Sequence, residues 1–186
     1  MPADRPLRAD ARRNRERVLA AAEDVFAARG PGASTEDVAR AAGVGIATVF
    51  RHFRTKEDLL EAVYLARLER LADEVRAAAE GADPGAAFGE VVARIVDQSP
   101  SKNAVVDALV AAGADMDALK VATGGRVTDA LGLLLRRAQD AGAVRADVDV
   151  ATLLALLVGA AHGVEHAGDD PQRRARVIAV LLDGLR

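Results

Sequence analysis

Residues 34–56 read STEDVARAAGVGIATVFRHFRTK and decide the fold of the amino-terminal part of the chain. Ser34 followed by Asp37 has the spacing of a capping box, which begins a helix. Gly43 predicts the end of that helix, because glycine enters the left-handed backbone region without steric cost. A second short helix is expected over residues 46–52. Two short helices joined by a glycine turn predict a helix-turn-helix, the motif whose second helix reads the major groove of DNA.

The second helix of this motif is expected to have one buried and one exposed face. Val49 and Phe53 are spaced to pack it against its neighbours. Thr55 with Asp58 repeats the capping-box spacing and predicts a third helix. Five side chains of the second helix are then candidates for an exposed face: Ile46, Ala47, Thr48, Arg51 and His52.

The segment GVGIATVFRHFRTKEDLL, residues 43–60, resembles the signature of TetR-type (tetracycline-repressor-like) transcriptional regulators. The similarity extends from about Arg12 to Tyr64, and beyond it the chain resembles the family in its all-helical pattern and its length. The resemblance implies that a very short recognition helix enters the major groove of an operator in double-stranded DNA. Carried onto this chain, it implies these DNA-binding residues: Thr35, Gly45, Ile46, Ala47, Thr48, Phe50, Arg51, His52 and Lys56.

Within this set the resemblance implies different roles. Thr35, His52 and Lys56 would contact phosphates, while Thr48 and Arg51 would face the DNA. Each also has an ordinary structural alternative, such as a surface threonine, a solvated charge or a helix-end cation stabilised by the dipole. Phosphate contacts outnumber base contacts in protein–DNA interfaces, which favours a phosphate role for the cations at the helix end.

Two positions depart from the family pattern. The family usually has tyrosine at Phe50, so one phosphate hydrogen bond is missing, and an aromatic side chain at this spacing packs as readily as it touches DNA. Gly45 replaces the usual serine or threonine. The second helix therefore lacks a side-chain cap and a further possible contact to DNA.

The composition favours an all-α fold. Of the 186 residues 3% are aromatic, alanine and leucine dominate the apolar half, and β-branched alternation is rare. No cysteine is present, which excludes a disulfide framework, thiol catalysis and cysteine-ligated zinc. The longest apolar run, residues 150–161, is shorter than the roughly 20 residues that cross a bilayer. Together with an amino terminus that lacks the apolar core of a signal peptide, this predicts a cytoplasmic protein without a membrane partner.

The charge is unevenly distributed along the chain. The net charge of −3 does not suggest a nucleic-acid partner, but residues 1–57 carry 11 Lys/Arg against 8 Asp/Glu, a balance of +3. Residues 58–186 carry 14 against 20, a balance of −6. Six of the 11 lie in residues 5–17. This arginine run is expected to be either a solvated, flexible tail or an arm that tracks the DNA backbone or enters the minor groove.

Glycine, proline and cap residues divide the chain into an expected DNA-binding domain over residues 1–56 and a helical ligand-binding and dimerisation domain over residues 57–186. Asp83 before Pro84 predicts an N-cap followed by proline in the first turn, and Ser99-Pro100-Ser101 predicts a break. The expected helices outside the motif span residues 9–29, 56–81, 84–98, 102–112, 115–122, 126–141, 149–167 and 171–185.

The last two helices carry broad apolar faces, and a single hydrophobic core cannot bury both of them completely. Gly159 and Gly163, four residues apart, would let another helix approach closely. A two-fold four-helix interface explains both features, and the resemblance also implies a homodimer. The expected interface residues are Leu153, Leu157, Gly159, Val164, Ile178, Leu181 and Leu182.

Residues 162–166, His-Gly-Val-Glu-His, match the H-x-x-E-H pattern of inverted zinc peptidases. A catalytic zinc needs a third protein ligand and a substrate cleft, and only Asp169, Asp170 and Asp183 follow as possible ligands. We therefore expect no metal, no cofactor and no enzyme. The alternatives are a metal-responsive regulator or, less favoured, a metal-dependent hydrolase that uses His162 and His166.

These features together predict a ligand-responsive transcription factor, a repressor that binds a palindromic operator as a homodimer. A small-molecule effector would release it by binding the DNA-incompetent state more tightly. Polar residues on the apolar faces of the later helices, Asp107, Thr128 and His162, are the expected pocket residues, with helix caps and solvated edges as alternatives. Residue types do not select a chemical class of effector.

Overall fold

The computed structural model describes residues 4–116, 118–119, 125–168 and 170–186. Within these ranges the chain is all-α, as predicted, with nine helices, a 3₁₀ turn at Gly30–Gly32 and no strand. The helices are α1 (Asp4–Arg29), α2 (Thr35–Ala42), α3 (Ile46–His52), α4 (Lys56–Ala79), α5 (Pro84–Asp97), α6 (Ser99–Ala111), α7 (Arg126–Asp140), α8 (Val150–Ala167) and α9 (Pro171–Gly184).

Two helices begin several residues earlier than expected, and a third expected helix is only partly described. α1 begins at Asp4, so the arginine run is helical along its described backbone and not an extended tail. A break was expected at residues 99–101, but only Gln98 separates α5 from α6. Pro100 lies in the first turn of α6, where a backbone N–H would have no acceptor within the helix, so the proline does not interrupt it. The helix expected over residues 115–122 is helical at Met116, Ala118 and Leu119, and the rest of it lies outside the described residues.

The chain divides into two compact units, Met1–Arg67 with Ser101–Leu119, and Leu68–Pro100 with Lys120–Arg186. In the first unit α1 packs against α2 and α3. Its core is formed by apolar side chains from the first four helices: Val18, Ala22, Phe26, Val38, Val49 and Leu59. The division by packing runs through α4, whereas the functional boundary expected after residue 56 stays a prediction.

In the second unit α5 packs against α7, α8 and α9, and α8 packs against α9. The interior is aliphatic apart from Phe88, with its centre at these fully or almost fully buried residues: Val92, Leu131, Leu134, Leu153 and Leu185. The predicted cap at Asp83 forms, and Asp149 adds a cap that the sequence analysis did not predict. Asp83 accepts the Ala86 N–H at 2.9 Å, and Asp149 accepts the Thr152 N–H at 2.7 Å. Both α5 and α8 therefore begin with a satisfied carboxylate cap.

α8 meets the length and hydropathy of a membrane-crossing helix, although its uninterrupted apolar run is shorter. Its 18 residues are only 22% buried within the subunit. Length and composition alone do not distinguish a membrane span from a helix that packs against another protein surface.

Candidate nucleic-acid interface

The helix-turn-helix forms as the sequence predicts. Ser34 Oγ accepts the Asp37 N–H at 3.1 Å, and the Asp37 carboxylate reaches back to the Ser34 N–H at 3.4 Å, which completes the capping box of α2. Gly43 ends α2 with φ +63°, in the left-handed region. The Val44 N–H then bonds the Ala39 carbonyl at 3.0 Å. The turn into α3 is therefore fixed by backbone geometry.

α3 has one anchoring side chain and a largely open outer side. Val49 is fully buried, and Phe53, directly after the helix, is 4% exposed. Ala47 and Arg51 are exposed, while Ile46, Thr48 and His52 are half-buried. This arrangement leaves a helix of seven residues with its polar groups on the side away from the core.

Phe50 and Gly45 lie on the open side of α3. The Phe50 ring is 44% exposed, so packing against the core does not account for its aromatic character. Gly45 is the N-cap of α3 with φ −71° and ψ 147°, and the helix receives no side-chain cap there. The Thr48 N–H donates to the Gly45 carbonyl at 2.8 Å, and no side chain in the described part of the chain accepts from the N–H groups of this first turn.

Two cations and an imidazole lie near the end of α3, and both cations lie over aromatic rings. The Arg15 guanidinium lies 5.4 Å from the centroid of the Phe53 ring, and Lys56 Nζ lies 5.9 Å from that of Phe26. Both separations are within the range of cation–π attraction. The His52 ring is tilted 54° to the Phe53 ring at 6.3 Å. Aromatic core residues thus hold Arg15 and Lys56 beside α3, and sequence reasoning missed Arg15.

Thr35 is the first residue of α2 and is 9% exposed. Its hydroxyl donates to the Glu36 carboxylate at 3.4 Å. A contact to phosphate through its side chain would use the small exposed part, whereas its backbone belongs to the first helical turn, whose N–H groups lack intrahelical acceptors. The phosphate role of Thr35 stays a prediction.

Asp37 is the centre of a charge cluster at the start of α2. Its carboxylate accepts from the Ser34 hydroxyl at 3.0 Å and pairs with Arg29 at 2.8 Å and Arg40 at 2.9 Å. The hydrogen bonds from Ser34 and Arg29 lower the pKa of Asp37 to about 2 from its ordinary value of 3.8. The two arginines offset an acidic charge that would otherwise repel a phosphate chain.

Arg17 supports the turn between α2 and α3. Its Nη2 donates to the Ala42 carbonyl at 2.6 Å, and a Cβ on Gly43 would lie 3.2 Å from the same nitrogen. Other arginines of the run pair within α1: Arg12 Nε with Glu16 at 3.2 Å, and Arg13 with Asp10. The run is therefore partly used inside α1. A groove-entering arm stays a prediction.

The residues of the expected dimer face differ in burial within the single chain, and the face itself stays a prediction. Leu153, Leu157 and Val164 are buried in the core of their own subunit, and Ile178, Leu181 and Leu182 are half-buried against that core. Gly163 faces Val177 of the same subunit at 3.4 Å, whereas a side chain at Gly159 would meet open space. The apolar residues left outside are neighbours of the predicted ones: Leu156, Val158 and Val180.

The three expected pocket residues, Asp107, Thr128 and His162, line neither of two cavities in the described part of the second unit. One cavity, of about 280 Å³, is lined by Asp97, Pro171, Arg174, Ala175 and Ile178. The other measures about 50 Å³ and adjoins Phe88 and Val144. Asp107 and His162 are exposed and Thr128 is half-buried.

The histidine motif forms on the last two turns of α8. His162 Nδ1 lies 3.2 Å from a Glu165 carboxylate oxygen, and His166 is exposed one turn further on. No group of three or more His, Asp or Glu side chains with metal-binding geometry occurs among the residues that the structure describes.

A short helix with an open outer side, held beside cations and preceded by a glycine turn, is the geometry of a helix-turn-helix DNA-binding protein. Comparison with known proteins gives the same class. Residues 18–63 match the family described as bacterial regulatory proteins, tetR family, and residues 83–186 match the SbtR-like transcriptional regulator C-terminal domain. The chain therefore belongs to the TetR family of DNA-binding transcriptional regulators.

Solved structures and curated relatives resemble the chain over nearly its whole length. A TetR transcription regulatory protein from Mycobacterium vanbaalenii is 42% identical, with 97% of this chain and 99% of that chain covered and a TM-score of 0.81. The TetR transcriptional regulator SCO0520 from Streptomyces coelicolor is 34% identical over 92% and 98%, with a TM-score of 0.75. The transcriptional regulator UidR of Escherichia coli is 24% identical over 85% and 83%. These relatives indicate a regulator rather than an enzyme.

Proposed function

We propose that the protein is a homodimeric repressor that binds a palindromic operator through α3 and is released by a small-molecule effector. The single observation that carries the DNA-binding part is the open side of α3 with Lys56 and Arg15 fixed beside it. In this arrangement Arg51 and Thr48 face base edges, while His52 and Lys56 contact phosphates.

A dimer follows from the small size of the recognition helix. Seven residues extend about 10 Å along the helix axis, enough for a few base pairs. Two such helices on a two-fold axis, about 34 Å apart, would read two half-sites in successive major grooves. The partner is a second copy of the chain, because a self-complementary apolar face is the economical way to bury an exposed helix side.

The dimer face that we propose lies on α8 and α9. Val158 is 58% exposed and Val180 is 67% exposed, both unusual for valine in a folded subunit. Gly159 leaves room there for the close approach of another helix. Burial of this side would also account for an apolar helix of which so little is covered within one subunit.

The effector site that we propose is the larger of the two cavities described in the second unit. Its volume of about 280 Å³ is near the lower end of the range for small-molecule pockets. Arg174 reaches across to Asp97, donating to the carboxylate at 2.8 Å and to the backbone carbonyl at 3.0 Å. Arg174 Nε is buried and has no hydrogen-bond partner. A ligand that rearranges this arginine would therefore change the polar contact between α5 and α9 and could give its Nε a partner.

A protein that binds an operator in this way would act in the cytoplasm, where bacterial DNA lies. Selection of bound duplexes from a random-sequence pool tests the proposal. We expect enrichment of an inverted repeat, and an affinity for the full repeat that greatly exceeds that for one half-site. Enrichment of an asymmetric site or of no sequence would contradict it.

Lys56→Ala extends the test to phosphate contacts. Loss of one contact should weaken binding to all duplexes similarly and reduce the slope of log affinity against log salt by about 1. Lys56→Arg, which keeps the charge, is the matched control. Thermal unfolding of both variants accounts for any loss of the contact with Phe26. An unchanged slope in a folded Lys56→Ala protein would place Lys56 away from DNA.

A further inference from the structure

The carboxy-terminal half of α8 carries the two histidines that DNA binding and the core leave unused. His162 and His166 are one helical turn apart, so their side chains project from the same side of the helix. His166 is exposed, and the His162 side chain is 71% exposed. Neither imidazole is therefore held in place by the apolar interior of the subunit.

His162 has a partner of the kind that accompanies metal-bound histidines. The Glu165 carboxylate lies 3.2 Å from Nδ1, which leaves the other ring nitrogen, Nε2, directed away from this contact. A carboxylate that accepts the second ring N–H fixes the tautomer and raises the basicity of the metal-binding nitrogen. A plain i, i+3 ion pair would need a protonated ring, whereas the metal-binding form needs a neutral one.

His162 lies in an exposed row of α8 that includes Val158 of the proposed dimer face, and His166 lies one turn beyond it. Ala151, Ala155, Val158 and His162 follow one another at spacings of four, three and four, and all are exposed. This is the spacing of a helix–helix seam. Two imidazoles removed from water at such a seam require partners, since buried polar groups without hydrogen bonds or ligands are costly.

We propose that two copies of the chain bind one divalent first-row transition-metal ion between them, through His162 and His166 of each subunit. The inference rests on the homodimer proposed above. Within one subunit the described residues offer only a pair of nitrogen donors, whereas two pairs related by a two-fold axis supply four. Imidazole donors suit Zn²⁺, Ni²⁺ and Cu²⁺ rather than Mg²⁺ or Ca²⁺. The ion would strengthen the dimer and so couple metal availability to operator binding.

The test uses the full chain, stripped with chelator and titrated with Zn²⁺ by calorimetry, with sedimentation velocity at each metal concentration. We expect one ion per dimer and at least a tenfold tighter dimer with metal. His162→Ala and His166→Ala should each abolish this binding. Glu165→Gln should weaken it by about 10- to 100-fold, the usual effect of losing an orienting carboxylate.

The third histidine of the chain supplies the matched control, because His52→Ala removes an imidazole without touching α8. It should leave Zn²⁺ binding unchanged. Titration with Cu²⁺ and electron paramagnetic resonance would count the nitrogen ligands directly, with four expected in the wild-type dimer.

The outcomes separate failure of the metal site from failure of the dimer. A dimer that binds no Zn²⁺, or whose Zn²⁺ survives both α8 histidine substitutions, overturns the metal site and leaves the dimer standing. One ion per subunit without an effect on assembly overturns the bridging arrangement. A wild-type chain that stays monomeric at micromolar concentration with and without Zn²⁺ overturns the dimer and the site together.

Discussion

α3 and α8 each bury one side in their own unit, but their open sides differ in chemistry. The open side of α3 carries the exposed Arg51 and the half-buried Thr48 and His52, whereas that of α8 carries Leu156, Val158 and Gly159. A cationic, hydrogen-bonding surface suits a polyanion, and an apolar surface with a glycine suits another apolar surface. The contrast supports the proposal that the two helices meet different partners, DNA for α3 and a second copy of the chain for α8.

The largest effect is expected from charge on the open side of α8 and α9. Val158→Glu with Val180→Glu would place carboxylates in an apolar seam, at a cost of several kcal/mol. We expect a folded, monomeric protein whose affinity for a palindrome falls by about 10²- to 10⁴-fold, the size of a lost bivalent advantage. Circular dichroism measures whether the variant is folded, and sedimentation measures whether it is monomeric.

Leu157→Glu is the matched comparison for that experiment. Leu157 adjoins Val158 in sequence but lies in the subunit core, so its substitution should remove the folded state itself. If both changes produced the same folded monomer, the division of α8 into a core side and a partner side would be wrong.

The sequence could not predict which side of α8 faces the core and which side is exposed. The helix is apolar almost all round, and periodicity alone does not say whether Leu153 and Leu157 or Leu156 and Val158 face the interior. Packing of α5, α7 and α9 decides it in favour of Leu153 and Leu157. Several expected interface residues therefore pack into the core of the chain, whereas Gly159 lies on the open side of α8, and the dimer face itself stays a prediction.

Local features of the helix-turn-helix were predictable from the sequence, because the residues that interact are only three or four positions apart. The capping box of Ser34 and Asp37 and the left-handed Gly43 depend on neighbouring backbone alone. The contact between Arg17 and the Ala42 carbonyl joins residues 25 apart, and the pair of Arg29 with Asp37 crosses a turn. Such contacts depend on how α1 packs against α2, which no local pattern specifies.

Arg51 should give the next largest effect, on sequence preference. As an exposed arginine on α3 it is placed to read a base edge, and Arg51→Ala should reduce discrimination at one position of each half-site by about 1–3 kcal/mol. Affinity for random duplex DNA should change much less. Competition binding against single-base variants of the operator measures it. Equal losses on all sequences would make Arg51 a phosphate contact instead.

Asp37 should make the free energy of unfolding of the helix-turn-helix depend on pH. Its pKa is about 2 in the folded protein and 3.8 ordinarily, so the carboxylate stabilises the fold above pH 4 and this contribution disappears as the pH falls towards 2. Asp37→Asn should therefore be less stable than wild type at pH 7, with a difference that shrinks between pH 4 and pH 2. Urea unfolding at pH 7, 4 and 2.5 checks this, and a difference that stays constant would show that the charge of Asp37 is not the cause.

The smallest effect on stability is expected at the N-caps, where α3 and α8 also differ. α8 begins with the Asp149 cap, whereas α3 begins at Gly45 without a side-chain cap. Gly45 has an extended backbone that any residue adopts, and a Cβ there would meet nothing within 4 Å. Gly45→Ser should therefore cap α3 and stabilise the protein by a few tenths of a kcal/mol. Gly45→Ala adds the same Cβ without a cap, so equal stability of the two variants in urea unfolding would rule out a serine cap at this position.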